Sequence, residues 1–322
     1  MKKNTQLAII LVNWNGTDDT INCIESIYKS TFRDYTIIVV DNGSDKGQLQ
    51  KLVECNFKIT LIKTGENLGY TGGNNVGIDH AIDKKSKYIL LLNNDTYIAI
   101  DALENMMRSA NSDKKVGVLS PKIFFHPDRH LIWSAGATFN DVNLIGHLTG
   151  YKEEDKEIYN QQSDVDYVSG CAMLIQTDVI KKVGKLCDDY FAVCEDIDFC
   201  FRVKEHGYCI RYEPSATVWH IESSSSGGID SPQYVYYQTR NYFLFHKRWA
   251  RGLSQLILSH GYYSIYLVKR GMGFILRGEF TGVLAITLGV YDFIVGKYGR
   301  RDYMVLNSKK KNIFKSSKNI NQ

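Results

Sequence analysis

Short apolar runs alternate with amphipathic helical patterns along the first hundred residues of this chain. The apolar, β-rich runs that predict strands are residues 7–12, 35–40, 58–62 and 88–92. Helices are predicted between them at residues 18–28, 45–54 and 75–82, with Thr17, Ser44 and Asn74 as their caps. This alternation predicts an α/β fold with a mostly parallel, doubly wound central sheet, whose first half binds a nucleotide.

The strand predicted at residues 88–92 runs directly into Asn93-Asn94-Asp95. In an open α/β sheet, ligands bind at the carboxyl ends of the strands, where these polar side chains are expected. The Asp95 carboxylate could hold a divalent cation, and the two amides could bond a ribose or a phosphate. A turn in which Asn and Asp cap their own backbone explains the same residues without a ligand.

Three acidic residues, Glu195, Asp196 and Asp198, lie within four positions in a segment of helical character. Carboxylates this close repel one another, which a fold tolerates more readily when a metal or a proton-transfer task compensates. A helix N-terminus, whose macrodipole favours acidic side chains, is the alternative explanation. Further on, an apolar strand at residues 216–220 ends in His220, which is either a Mn²⁺ ligand or an ordinary structural residue.

Six motifs follow one another between the N-terminus and about residue 250, and as an ordered set they are more specific than any one motif. They are Val12-Asn13-Trp14-Asn15-Gly16, Val39-Val40-Asp41-Asn42-Gly43-Ser44, Glu66-Asn67-Leu68-Gly69-Tyr70-Thr71-Gly72-Gly73-Asn74-Asn75-Val76-Gly77, Leu92-Asn93-Asn94-Asp95, Glu195-Asp196-Ile197-Asp198 and Trp219-His220. In this order the chain resembles family 2 glycosyltransferases, and within them the rhamnosyltransferase-like branch. The resemblance implies a GT-A fold with a C-terminal helical appendage, a nucleotide-sugar donor, Mg²⁺ or Mn²⁺, and inversion at the anomeric carbon.

The expected donor site lies after the strands and in the Gly- and Asn-rich segment 67–77. The resemblance implies that Asp41 binds the pyrimidine or ribose of the donor and that Asn13 lies near the base, whereas a plain Asx turn at residues 41–43 is the alternative. Segment 67–77 would let backbone approach the donor and would open a helix whose N-terminus favours anions, although a loop and a cap explain it too. The full expected donor set is Asn13, Asp41, Asn67, Gly69, Asn75, Asn93, Asn94 and Asp95.

The acids have roles in the reaction that the resemblance implies. In an inverting transfer, a base removes the acceptor's hydroxyl proton as that oxygen attacks the anomeric carbon. By match to the second acid of the family's Glu-Asp pair, Asp196 is the expected base. Glu195 and Asp198 would orient the acceptor or raise the pKa of that base.

The resemblance implies two further sites. Asp95 and His220 would hold the metal, and Arg240 and Asn241 would meet an acceptor's diphosphate. One departure bears on the metal, because the family's Asp-x-Asp is Asn93-Asn94-Asp95 here and one carboxylate is lost. We therefore expect low metal affinity in the absence of the donor.

Composition narrows the class of protein. The 322 residues are 44% hydrophobic, which allows a large core, and the net charge of +4 is too small to indicate nucleic-acid binding. The segment Gly69-Tyr70-Thr71-Gly72-Gly73 is not G-x-G-x-x-G, which argues against an NAD-dependent enzyme. The seven cysteines form no C-x-x-C pair and residues 7–12 are too short for a signal peptide, so a reducing cytosol is expected.

The chain is expected to divide near residue 232. Residues 1–232 would form the catalytic unit, with a nucleotide-sugar half at 1–115 and an acceptor and catalytic half at 116–232 that includes a strand at 165–175. Residues 233–300 are aromatic and basic and then apolar, although 280–296 are too short to cross a membrane, and 301–322 form a basic tail. We expect this region to contact an anionic membrane peripherally. A core helix pair or an interface in a homo-oligomer is the alternative.

These features predict a cytoplasmic enzyme at the inner face of the cell membrane that elongates a lipid-linked or growing glycan in cell-surface polysaccharide synthesis. The branch implies dTDP-rhamnose as the donor, and a UDP-sugar used by a galactofuranosyl- or glucosyltransferase is the alternative. A nucleotide-sugar pyrophosphorylase would need a basic Gly-rich loop after its first strand, which Asn13-Trp14-Asn15-Gly16 does not provide. A catalytically inactive nucleotide-sugar-binding module is the other rival, although it need not retain Asp196.

Overall fold

The computed structural model describes residues 5–221 and 228–301 of the chain. Its strands are β1 (Leu7–Asn13), β2 (Tyr35–Asp41), β3 (Thr60–Lys63), β4 (Tyr88–Leu92), β5 (Thr96–Ile98), β6 (Val116–Phe125), β7 (Ile132–Ser134), β8 (Ala137–Asn140), β9 (Ile145–Leu148), β10 (Ser163–Asp164), β11 (Ala172–Gln176) and β12 (Cys209–His220). Its α-helices are α1 (Thr17–Tyr28), α2 (Lys46–Glu54), α3 (Gly69–Asp83), α4 (Ala102–Ser112), α5 (Thr177–Val183), α6 (Glu195–Glu205), α7 (Pro232–Trp249), α8 (Leu253–Leu276) and α9 (Phe280–Ile294).

The central sheet is mixed, with a mostly parallel half that is built first along the chain. The strand order is β10-β12-β6-β11-β4-β1-β2-β3, and β5 and β7 pair with β12 and β6 at one end. Strands β3, β2, β1 and β4 are parallel, β11 is antiparallel to both β4 and β6, and β12 is parallel to β6. The α/β fold with a central, mostly parallel sheet is therefore confirmed.

The sheet buries both of its faces, which explains why its strands are almost continuously apolar. In β1, Ile10 packs in one core cluster together with Ile78 of α3. The next residue, Leu11, packs in the opposite cluster with Ile24 of α1 and Met106 of α4. Because successive strand side chains point to opposite faces, each strand must be apolar on both sides to fill the two clusters.

Helix α3 approaches β1 unusually closely, and two glycines permit the approach. A Cβ added at Gly77 would lie 2.5 Å from Cγ2 of Ile10, and one at Gly73 would lie 2.8 Å from Cγ1 of Val12. Neither position has room for a side chain in the present packing. The helix can therefore hold its N-terminal end against the carboxyl end of β1 only with glycine at these positions.

Several predicted boundaries were wrong, and the backbone contacts explain why. The residues at the N-cap positions of α1, α2 and α3 are Gly16, Asp45 and Leu68 rather than Thr17, Ser44 and Asn74. Helix α3 begins at Gly69 because that residue has a φ of +75° and donates its N–H to Oδ1 of Asn67 at 2.8 Å. The strand predicted at 165–175 is reduced to β11, because both backbone groups of Gly170 bond to side chains. Its carbonyl oxygen accepts from the Tyr70 hydroxyl, and its N–H donates to the Asp196 carboxylate.

The C-terminal helices α7, α8 and α9 form the expected helical appendage, but α7 belongs to the core. Its Leu244 and Phe245 are buried in the same cluster as Ile10, so the aromatic side of α7 packs in the core. Helix α9 packs directly on α7, since a Cβ at Gly289 would lie 2.9 Å from the carbonyl oxygen of Tyr236. No helix in the described part of the chain is long and apolar enough to cross a membrane. Of the predicted basic tail, only Arg301 lies within the described residues.

We predict that Gly77→Ala lowers the free energy of unfolding by about 1–3 kcal/mol, because the new methyl group overpacks the contact between α3 and Ile10. Gly261→Ala is the matched control, since Gly261 is also helical and a Cβ there meets no atom within 4 Å. The control is expected to be neutral or to raise stability by up to about 1 kcal/mol through helix propensity. Urea denaturation of both variants measures the difference, and equal stabilities would contradict the tight packing of α3.

Candidate active site

A cavity of about 500 Å³ opens at the carboxyl ends of β1, β2 and β4. It lies between the strand ends of the nucleotide half, the start of α6, the end of β12 and one side of α7. The predicted site residues that it brings together are Asn67, Gly69, Asn93, Asn94, Asp95, Glu195, Asp196 and His220. The predicted residues that do not line it are Asn13, Asp41, Asn75, Asp198, Arg240 and Asn241.

Asp95 and His220 form one corner of the cavity. The pairing of β5 with β12 places His220 opposite Thr96, so the imidazole reaches the carboxylate that precedes β5. Nε2 of His220 is 3.2 Å from Oδ1 of Asp95, and both side chains are buried. The rings of Trp133 and His220 pack edge to face and close this corner, with their centroids 4.9 Å apart.

The charge of His220 is set by its neighbours. Burial alone would lower its pKa, but Cys171 and Asp95 beside it raise the pKa well above the usual value for histidine. Asp95 therefore stabilises a positive charge in this corner, whether it is carried by the His220 imidazole or by a bound cation.

The two residues fit a divalent cation as part of its ligand shell. A carboxylate oxygen and an imidazole nitrogen are suitable ligands for Mn²⁺, and the imidazole suits Mg²⁺ less well. Within residues 5–221 and 228–301, no cluster of three or more His, Cys, Asp or Glu side chains could hold a metal by itself. Asp95 and His220 would therefore hold a cation only together with oxygens of another molecule.

Glu195 and Asp196 are the first two residues of α6, and both line the cavity. Asp196 is partly exposed, and its two carboxylate oxygens accept N–H groups from Gly170 at 3.0 Å and from Ile197 at 2.8 Å. Glu195 is buried, and its Oε2 has no hydrogen-bond partner among the described residues. The two carboxyl groups share one apolar environment but have very different hydrogen bonding.

The difference separates the ionisation of the two acids. Burial raises the pKa of Glu195 well above its usual value, and the nearby charge of Asp196 raises it further. Burial also raises the pKa of Asp196, while the N–H groups of Gly170 and Ile197 stabilise its anion and limit the rise. Asp196 is therefore the acid that carries the negative charge, and Glu195 is the one that keeps a proton.

Asp198 points away from the cavity, although it is only two residues from Asp196. Two positions along an α-helix are separated by about 200° of rotation, so the side chains lie on opposite faces of α6. Oδ2 of Asp198 accepts from Nε of Arg202 at 2.9 Å, and Oδ1 accepts from Nε1 of Trp249 at 3.0 Å and from the Tyr190 hydroxyl at 3.2 Å. The acid that was expected to orient the acceptor forms a buried ion pair instead.

The loop that leads into α6 has a strained backbone. Phe191, Val193 and Cys194 are not glycines, yet they have φ values of 63°, 71° and 76° in the left-handed region. Such conformations cost free energy and persist only when surrounding contacts hold them. Cys194 occupies the N-cap position of α6, so the loop directly sets the position of the two acids.

Arg240 and Asn241 of α7 supply those contacts. Nδ2 of Asn241 donates to the carbonyl oxygens of residues 190, 192 and 193 at 2.9, 2.7 and 2.8 Å. The guanidinium of Arg240 makes five hydrogen bonds, to the side chains of Asn241 and Tyr236 and to the carbonyl oxygens of residues 189, 190 and 299. These bonds use all five N–H groups of an arginine, and both side chains are fully buried. The expected contact with an acceptor's diphosphate is therefore corrected to a contact with this loop.

The expected donor residues are divided between the cavity wall and the layer behind it. Nδ2 of Asn13 donates to Oδ1 of Asp41 at 3.1 Å, and both residues are buried. Asn42 lies in front of them on the cavity wall, where its amide donates to the carbonyl oxygen of Gly69 at 2.9 Å. Asn75 lies away from the cavity and donates to Leu186 and Asp188.

The sequence analysis missed the aromatic wall of the cavity. The aromatic residues that line it are Trp14, Tyr70, Trp133, Tyr167, Phe191, Tyr234, Tyr237 and Tyr242. Trp14 and Tyr70 lie inside motifs that had been singled out, so their positions beside the polar residues were a usable signal. The others come from the β7 region, from a loop and from α7, which only the tertiary fold brings together.

Comparison with known proteins agrees with this architecture. The family model described as Glycosyl transferase family 2 matches residues 8–184, more than half of the 322 residues. The low-salt glycan biosynthesis hexosyltransferase Agl10 of Haloferax volcanii is 27% identical over 243 residues, covering 74% of each chain. The N-acetylglucosaminyl-diphospho-decaprenol L-rhamnosyltransferase of Mycobacterium tuberculosis is 24% identical over 241 residues, covering 69% of this chain and 78% of that protein.

Solved structures have the same fold at low identity. The mannosyltransferase PcManGT of Pyrobaculum calidifontis, in complex with GDP-Man and Mn²⁺, has a TM-score of 0.57 at 12% identity and covers 92% of this chain and 89% of its own. GalNAc-T7 with UDP, GalNAc and Mn²⁺ has a TM-score of 0.56 at 13% identity over 77% of this chain, which spans only 51% of the GalNAc-T7 chain. The GT-A fold expected from the sequence is confirmed. With its motifs and its cavity in the arrangement described, the protein belongs to glycosyl transferase family 2 and is a glycosyltransferase.

Proposed function

We propose that the protein transfers a sugar, with inversion, from a pyrimidine nucleotide-sugar to a glycan or lipid-linked glycan acceptor in cell-surface polysaccharide synthesis. One observation carries the proposal: Asp196, whose carboxylate accepts two backbone N–H groups, lines the same cavity as the Asp95–His220 pair. Asp196 provides a base, and the Asp95–His220 pair provides a place where a diphosphate and its counter-ion can bind. Both are needed to move a glycosyl group between two oxygens.

Asp196 is the proposed base. Its anion is held by two backbone N–H groups while the apolar cavity raises its pKa, and a raised pKa makes a carboxylate a better proton acceptor. It takes the proton of the acceptor hydroxyl as that oxygen bonds to the anomeric carbon and the bond to the diphosphate breaks. Glu195, which keeps its proton, is proposed to donate a hydrogen bond to the acceptor rather than to compete as a base.

The diphosphate is proposed to lie against Asp95, Asn93 and His220. A bound Mg²⁺ or Mn²⁺ would neutralise the charge of the departing diphosphate there. The residues of this chain would hold the cation through Asp95 and His220, and the Asn93 amide can donate to a phosphate oxygen. The base and ribose would lie over Asn42, Asn67 and Gly69, with Asn13 and Asp41 fixing the position of Asn42 from behind.

The donor is proposed to be dTDP-rhamnose, with a UDP-sugar as the alternative. The mycobacterial relative is named as an L-rhamnosyltransferase, and the archaeal relative is named as a hexosyltransferase, so the sugar rests on the first relative and on the branch that the motifs resemble. The acceptor of the mycobacterial relative is named as a lipid diphosphate, which supports a lipid-linked acceptor at the inner face of the cell membrane. Trp133, Tyr167 and Tyr234 offer the aromatic faces on which acceptor sugars commonly pack.

We predict that UDP and dTDP bind at least about tenfold more tightly than GDP and ADP when Mn²⁺ is present, a difference of about 1.4 kcal/mol. The amides of Asn42 and Asn67 on the cavity wall can pair with the imide edge of a uracil or thymine ring, which a purine does not present in the same way. Isothermal titration calorimetry with the four nucleotides measures the preference. GDP is the critical competitor because PcManGT, which has the same fold, was solved with GDP-Man. Tighter binding of GDP or ADP would overturn the pyrimidine assignment.

We predict that Asp196→Asn keeps donor binding but lowers the transfer rate about 10²–10⁴-fold, because the amide preserves shape and cannot accept a proton. Glu205→Gln is the matched control, an exposed acid on the same helix that should retain wild-type turnover. Since the base must be ionised and its pKa is raised, wild-type activity should fall as the pH is lowered, beginning above the usual aspartate range. Near-native turnover of the Asp196 variant would remove this residue from the role.

We predict that His220→Ala weakens Mn²⁺-dependent nucleotide binding by about tenfold or more, while binding measured without metal changes little. His130→Ala is the control, because His130 is exposed and lies outside the cavity. Nucleotide titrations at several Mn²⁺ concentrations separate metal-dependent binding from binding without metal. If the His220 variant responds to Mn²⁺ as the wild type does, His220 is a structural residue.

A further inference from the structure

Helices α8 and α9 carry an exposed apolar surface that the fold does not explain. Of the 21 large apolar side chains that are exposed among the described residues, fifteen lie between Leu253 and Val295. Ile257, Ile265, Val268 and Met272 are examples from α8. Exposed apolar residues scattered singly are ordinary, but a contiguous set marks an interaction surface. We name the exposed faces of α8 and α9 the α8–α9 surface.

The pattern within α8 is opposite to that of a water-exposed helix. The helix has 24 residues and buries only a narrow stripe, Ser259, Tyr263, Leu267 and Phe274. A surface helix in water has charged and polar residues over the rest of its circumference. Helix α8 instead contains no acidic residue, and its charged residues are only Lys269 and Arg270. Such a helix has an apolar partner along most of its length of about 36 Å.

The charges around the surface identify the partner. Between Asp230 and Glu279 the sequence contains no acidic residue but has seven Lys and Arg residues. Four of the seven are buried or paired with acids, and Lys247, Arg251 and Lys269 are the exposed cations that remain. A second copy of this chain would bring the same three cations to the interface, where they repel. An anionic lipid bilayer provides both an apolar layer for the side chains and negative headgroups for the cations at its rim. We propose that the α8–α9 surface lies in the headgroup region of an anionic bilayer.

The surface is attached to the wall of the active-site cavity. Arg270 of α8 donates to the Gln238 side chain and to the carbonyl oxygen of Ile229, and both of these residues line the cavity. The contact between α8 and α7 therefore keeps the cavity next to the docked helix. This proposal rests on the proposed function for its purpose, because a lipid-linked acceptor presents its sugar next to a bilayer.

Flotation of the full-length protein with vesicles tests the surface. The probe is phosphatidylcholine vesicles with about one third phosphatidylglycerol, compared with phosphatidylcholine alone, at low and high salt. The variant I265E/M272E places charges at side chains that are 58% and 57% exposed. The matched control I100E/I158E makes the same change at side chains that are 60% and 68% exposed and lie outside α8 and α9.

The expected result is that the wild type and I100E/I158E float with anionic vesicles and that I265E/M272E partitions at least about tenfold less, because charge is inserted into the apolar layer. A second variant, R251E/K269E, should lower flotation at low salt and approach the wild type at high salt, since both residues are exposed cations of this region. The R251E/K269E variant still tests the surface if circular dichroism shows that I265E/M272E does not fold.

Several outcomes would overturn the proposal. They are failure of the wild type to float, equal flotation of I265E/M272E and the wild type, and no effect of R251E/K269E. A wild-type dimer in sedimentation velocity that I265E/M272E dissociates, without vesicle binding, would assign the surface to a second copy of the chain. UDP and dTDP titration is measured separately, so a protein that floats but binds neither nucleotide retains this surface and loses the proposed donor.

Discussion

The placement of Glu195 and Asp196 depends on the contact between α7 and the strained loop before α6. Arg240 and Asn241 bind the carbonyl groups of residues 189, 190, 192 and 193, and these bonds hold a loop that contains three left-handed residues. Because the loop ends at the N-cap of α6, its conformation sets where Glu195 and Asp196 enter the cavity. Helix α7 therefore helps to position these two acids, and it does so through side chains that bind the backbone carbonyls of the loop.

The parts of the site that the sequence predicted are those that follow buried strands. A continuous apolar run fixes the length and direction of β4, and the carboxyl ends of parallel strands meet at one edge of a sheet, so Asn93 and Asp95 had to lie at that edge. The end of β12 at His220 was found by the same reasoning, although the strand begins earlier than predicted, at Cys209. The fold class follows from the same periodicity, because alternating strands and helices leave few ways to bury both faces of the sheet.

The parts that the sequence could not predict depend on which way a helical side chain points and on contacts between distant segments. Helix geometry separates Asp196 from Asp198, but a cluster of three acids does not show which of the two faces the cavity. The packing of α6 against Tyr190 and Trp249 turns Asp198 away from it. The role of Arg240 could not be predicted either, since a cation in an aromatic segment suits either an anionic ligand or a set of carbonyl oxygens. The loop carbonyl oxygens that it binds, at residues 189 and 190, are about fifty residues away in the chain, and nothing local in the sequence indicates them.

The electrostatics of the Asp95 corner connect the missing carboxylate of the family motif to the order of binding. With Asn93 in place of an acid, the group beside Asp95 is His220, whose pKa is lowered by burial and raised more strongly by Cys171 and Asp95. On the proposed function, a cation bound there would compete with a proton on His220, so its affinity would rise with pH. The two diphosphate charges of a donor would add the attraction that the lost carboxylate would have supplied. Metal and donor would then stabilise each other in this corner, and Asp95 and His220 would hold a cation mainly when a nucleotide diphosphate is bound.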